Sequence, residues 1–144
     1  MTEPEAFDAE LKKIAAEFAA RFDPAEGRLD FSKQSLPVLD ASLLKARTAG
    51  LSPDALRDLA IGAGAYLAEV IRKRAPLPLR WVPSSVVPGG GGPQNPYLLA
   101  TPRNLVFAVL SKPSKLLEKG ESERLAPFAD AVQDLISREA TSKG

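Results

Sequence analysis

The sequence predicts an α+β chain in which three helices come first, a small antiparallel sheet of about three strands follows, and two helices close the fold. Three observations carry this. Apolar residues recur at helical spacing up to Arg74. Short β-branched and aromatic runs punctuated by Pro and Gly then occupy residues 79–107. Helical spacing returns towards the C-terminus. At 144 residues the chain fits one domain, with a core that needs no covalent staple.

Thr2 and Glu5 have capping-box spacing, and Phe7, Leu11, Ile14, Phe18 and Phe22 fall on one helical face behind them. Acidic residues crowd the first turns, where the helix dipole favours them. Asp23-Pro24 ends this helix and Gly27 turns the chain. Leu29 to Ser32 leads into a second helix, with Leu36, Leu39, Leu43 and Ala46 as its buried stripe and Gly50 as its end. Pro37 fits its first turn if Ser35 is the N-cap, because the missing N–H would be unpaired there. Ser52-Pro53 opens a third helix that runs to about Arg74. Between Leu59 and Ala68 that helix is uncharged and thin, with Gly62 and Gly64 among alanines. Each Gly costs about 1 kcal/mol relative to Ala, so the segment is expected at the centre, against a close neighbour.

Leu79 to Val82 reads as a strand, and residues 83–96 as a flexible Pro/Gly-rich loop around Gly89 to Gly92. Tyr97 to Ala100 and Leu105 to Phe107 form a hairpin across Thr101-Pro102-Arg103-Asn104, which suits a type I turn. Ser111 caps a short helix ending at Gly120. Leu125, Phe128, Ala129, Val132, Leu135 and Ile136 mark the last helix, its start limited by Pro127.

Composition excludes much chemistry. With neither Cys nor His there is no disulfide, thiolate ligand, thiol nucleophile or imidazole base, and the sequence predicts no metal site and no cofactor. The acidic start has no apolar stretch behind it, and no run of about 18 apolar residues occurs, so a cytoplasmic chain without a membrane span is expected. Net charge is +1, unevenly spread: residues 1–58 carry −3, 59–119 carry +6 and 120–144 carry −2.

Four motif-like stretches fail on inspection. Gly62-Ala63-Gly64 lies within a helix and lacks the third Gly of a dinucleotide turn. Gly89 to Gly92 has no following Lys-Ser/Thr pair. A calcium loop around Gly27 would need Phe22 and Lys33 as ligands, and Ser42-Leu43-Leu44-Lys45 has no companion motifs.

Leu29-Asp30-Phe31-Ser32, Ser35-Leu36, Leu39-Asp40, Gly64 to Val70 and Trp81 together resemble small bacterial domains of unknown function with the pattern LDYS-x-x-SL-x-x-LD … GAYLGEV … W. The resemblance spans residues 28–82, with Ala68 at a position where that pattern has Gly. It implies an α+β fold and carries no activity with it.

Glu69 is the carboxylate of most interest. Near the end of an apolar helix, it is placed to act as a base or a ligand anchor. The plainer reading pairs it with Arg72 and Lys73 on the same face, or with the Trp81 indole. The candidate binding set is Glu69, Arg72, Arg74, Arg80, Trp81, Tyr97 and Arg103. The leading expectation is a non-catalytic protein-interaction domain, an adaptor or immunity-type protein whose partner is acidic. A second is an anion- or nucleic-acid-binding module using Arg72, Arg74, Arg80 and Arg103. A third is a small enzyme built on Glu69 with Tyr66 or a neighbouring Lys.

Overall fold

The computed structural model describes residues 2–22, 27–87 and 95–141. Five α-helices and a three-stranded antiparallel sheet follow one another in the predicted order: α1 (Glu3–Arg21), α2 (Ser35–Arg47), α3 (Pro53–Arg74), β1 (Arg80–Pro83), β2 (Tyr97–Ala100), β3 (Val106–Phe107), α4 (Lys112–Lys119) and α5 (Leu125–Thr141). The sheet order is β1-β2-β3, with Trp81 opposite Leu99 and Leu99 opposite Phe107.

Local chemistry sets the helix starts. The Thr2 and Ser52 hydroxyls accept the N–H groups of Glu5 and Ala55, and prolines sit in both first turns, where no donor is needed. Helix α1 stops at Arg21; the Asp23-Pro24 break expected next to it lies outside the described residues. Gly27, Gly50 and Gly120 all have positive φ at the ends of connections, as the sequence reading anticipates. The hairpin turn also closes as expected, the Asn104 N–H donating to the Thr101 carbonyl at 2.9 Å.

Two caps differ from expectation. Ser35 is the first residue of α2 rather than its cap, and its hydroxyl instead reaches the Ser32 carbonyl and the Tyr66 hydroxyl, each at 2.6 Å. Ser111 stands at the N-cap of α4, yet its side chain makes no capping bond. Helix α5 begins two residues before Pro127. Its first free N–H groups, those of Leu125 and Ala126, donate to the two oxygens of Asp40 at 2.6 and 2.9 Å. A buried carboxylate on α2 thus caps a helix 85 residues away.

Helix α3 is the central element. From Gly62 to Ile71 every residue is buried, as befits a helix apolar all round. Its glycines permit close approach. A Cβ on Gly64 would lie 2.9 Å from the Leu110 carbonyl oxygen, and one on Gly62 would lie 2.3 Å from a Phe18 ring carbon. The loop expected at 83–96 has ordered ends: Pro83 pairs with Tyr97 on the edge strand, where a missing N–H is tolerated, and Ser84–Val86 forms a 3₁₀ turn. Asn95 is buried and accepts the Ser111 N–H at 3.1 Å; Gly89 to Gly92 lie outside the described residues. No helix among the described residues is long and apolar enough to cross a membrane.

Candidate functional site

Two concavities flank α1. The first is a cleft of about 610 Å³ lined by Lys12 and Ala16 of α1, Phe31, Glu69, Arg72 and Lys73 of α3, and Leu77 to Leu79. Helix α3 delivers Glu69 to its wall with 8% of the residue's surface exposed. Burial raises the Glu69 pKa, against the opposing pull of Arg72, Lys12 and Lys73; Asp8 adds to the rise. Phe31 holds a left-handed backbone, φ 65°, that a residue of this size rarely adopts. Its N–H donates to the Tyr66 hydroxyl at 2.8 Å, and its ring stacks on Tyr66 with centroids 4.7 Å apart.

Beside this cleft stands a polar junction with Asp8 at its centre. Asp8 accepts the Trp81 indole N–H at 3.0 Å, pairs with Lys12 at 3.2 Å and makes a close ion pair with Arg72. Burial pushes its pKa up, but the hydrogen bonds and charges of those partners outweigh it and the net shift is downward. Asp8, not Glu69, is therefore the acid that ties the Trp81 indole to the helices. Packing of α1 against β1 brings Asp8 to that nitrogen, while Phe7 stacks on Tyr97 at 4.2 Å and meets the Trp81 ring edge-on at 5.4 Å.

The seven candidate residues do not form one site. Glu69 and Arg72 share the cleft. Trp81 and Tyr97 are buried beneath Phe7, which removes them as stacking platforms. Arg74 pairs with Asp130 of α5, and Arg80 bonds the Thr101 carbonyl at 2.6 Å and the Asn104 side chain. Arg103 lies in the hairpin turn, where its N–H reaches Glu139 at 3.4 Å. The basic residues are thus spread over several faces, and Arg72, Arg74 and Arg80 are engaged within the fold.

The second concavity is an apolar groove of about 750 Å³. Phe7, Leu11 and Ile14 of α1, Ala60 and Ile61 of α3, and Leu110 and Leu117 line it, with Arg57, Ser114 and Glu118 supplying polar contacts. Ile61 is half exposed although the positions that follow it on α3 are buried. Sequence reading missed this groove. The available signal was Ile61 itself, a large apolar residue on a helix stretch whose small neighbours leave space beside it. Among the described residues, no cluster of three or more acidic side chains is arranged to hold a metal ion.

No family model, curated protein or solved structure matches the chain.

Proposed function

We propose that this chain is a non-catalytic protein-interaction domain that receives one amphipathic helix of a partner protein in the groove between α1, α3 and α4. The observation that carries this reading is the groove itself: a continuous apolar wall open to solvent, with polar atoms confined to a few positions. An amphipathic helix buries its i, i+3, i+4 and i+7 side chains in such a trough, and the burial supplies the affinity. A half-exposed Ile61 gives that helix an anchor.

Charge favours a partner helix with acidic flanks. Lys115 and Lys119 are exposed on α4, the helix that forms one wall. These charges would speed association and orient the helix more than they would tighten it. The anion- or nucleic-acid-binding reading has less support, because Arg72, Arg74 and Arg80 already have protein partners.

Selection of displayed helical peptides on the folded chain tests the proposal, with Ile61→Asp as the counter-selection target. Ile61 is exposed enough for this change to leave the core intact. Enriched peptides should carry apolar residues at helical spacing beside acids, and should lose roughly tenfold or more in affinity for Ile61→Asp. Equal binding to both proteins would overturn the groove as the docking surface.

A further inference from the structure

Two carboxylates are buried among the described residues, and their surroundings differ. Asp40 accepts two main-chain N–H groups, whereas Glu69 is left with charge–charge contacts alone. The cations near Glu69 are held elsewhere. Arg72 and Lys12 are both drawn to Asp8, and Lys73 lies over the Phe31 ring, 5.0 Å from its centroid. Glu69 thus carries no hydrogen bond from the described residues and lines a cleft of small-molecule size, where a ligand rather than a side chain can supply the missing donors.

The remaining walls indicate what would complete it. Ala16, Phe31, Leu77 and Leu79 are apolar, and Lys12 and Lys73 are exposed at the edge. A purely anionic ligand would be repelled by Glu69. A purely cationic one would meet Lys12, Arg72 and Lys73. A molecule carrying both signs on a short scaffold meets neither objection.

We infer that this cleft binds a small zwitterion of the amino-acid class with an apolar side chain. Its ammonium sits on Glu69, its carboxylate faces Lys12 and Lys73, and its side chain lies against Phe31 and Leu77 to Leu79. An ammonium offers Glu69 the hydrogen-bond donors it lacks, and a charge-assisted bond of this kind is strong. Phe31, its left-handed backbone fixed by Tyr66, lines the cleft with its ring between Tyr66 and Lys73; residues held in such conformations gather at ligand sites. This site shares no lining residue with the groove, so it stands or falls independently of the helix-docking reading.

Calorimetric titration of the full chain with L-leucine and L-phenylalanine tests the inference, beside 4-methylpentanoate, which lacks the ammonium, and 3-methylbutylamine, which lacks the carboxylate. The amino acids should bind, with each one-charge analogue roughly tenfold or more weaker. Glu69→Gln should cost the amino acids roughly tenfold. Lys73→Ala, a change at an exposed position, should weaken them and 4-methylpentanoate while leaving the amine unaffected, and it keeps the test valid if Glu69→Gln disturbs folding. No saturable binding of either amino acid by the folded chain at about 10 mM, or equal binding by the amine analogue and by Lys73→Ala, would overturn it.

Discussion

Asp40 and Glu69 show how one residue type takes two roles in the same interior. Asp40 terminates the Leu39-Asp40 pair on α2 and satisfies the first N–H groups of α5. Burial raises its pKa, and the two N–H bonds and nearby cations only partly offset this. Asp40→Ala removes both acceptors and strands two amides, so stability should fall by about 1–3 kcal/mol in chemical denaturation; Asp40→Asn should lose less, since one acceptor survives. Glu69 shares the direction of that shift but has no main-chain N–H groups to cap. Its folded pKa is raised, so its contribution to stability is full below the ordinary Glu value and is lost as pH rises through the folded value. Glu69→Gln should therefore gain on the native chain as pH rises from acid towards neutral, measured as the difference between their midpoints of unfolding. Asp8 has the reverse sign: its pKa is depressed, so its contribution is present above the ordinary Asp value and is lost on acidification. Sequence reading accounts for the acids in the first turns of α1 by the helix dipole alone, and offers the Trp81 indole to Glu69 as one of two pairings. Which acid meets an indole nitrogen is decided by how α1 lies on the sheet, and no local pattern encodes that angle.

At the scale of elements, the helices were readable wherever a local rule decides them. Thr2, Ser52-Pro53 and the apolar spacing of α1 and α3 act within one or two turns. Ser35 was misread because its partner Tyr66 comes from a distant element, and for the same reason no local pattern announced Asp40 as the cap of α5. The thin stretch of α3 was read correctly as a central packing surface, and its two glycines face different neighbours. Gly64→Ala places a Cβ against the Leu110 main chain, which cannot rotate away. The overpacking should outweigh the helix-propensity gain of about 1 kcal/mol and destabilise by about 1–3 kcal/mol in thermal or chemical unfolding. Gly62→Ala meets the Phe18 ring instead, and its cost should be smaller because a side chain can shift. Tyr66→Phe leaves the Phe31 N–H and the Ser35 hydroxyl without their shared partner. It should cost about 1–3 kcal/mol and loosen the wall of the cleft, seen as faster amide exchange at Phe31.

Over the whole molecule, the uneven charge along the chain does not translate into one basic face. The +6 of residues 59–119 includes Arg72, Arg74 and Arg80, which the fold spends on Asp8, Asp130 and the hairpin turn. What remains outward is a lysine-bearing α4 beside an apolar groove, and a cleft holding an unpaired acid. Both concavities are lined by residues of α1 and α3, a shape that emerges only when the helices pack. The most direct measurement is an amide and methyl NMR titration of the full chain with a display-selected amphipathic helix. Shifts and broadening concentrated at Leu11, Ala60, Ile61 and Leu117, and abolished by Ile61→Asp, are the predicted result. Perturbations that bypass those residues, or persist unchanged in Ile61→Asp, would contradict the account.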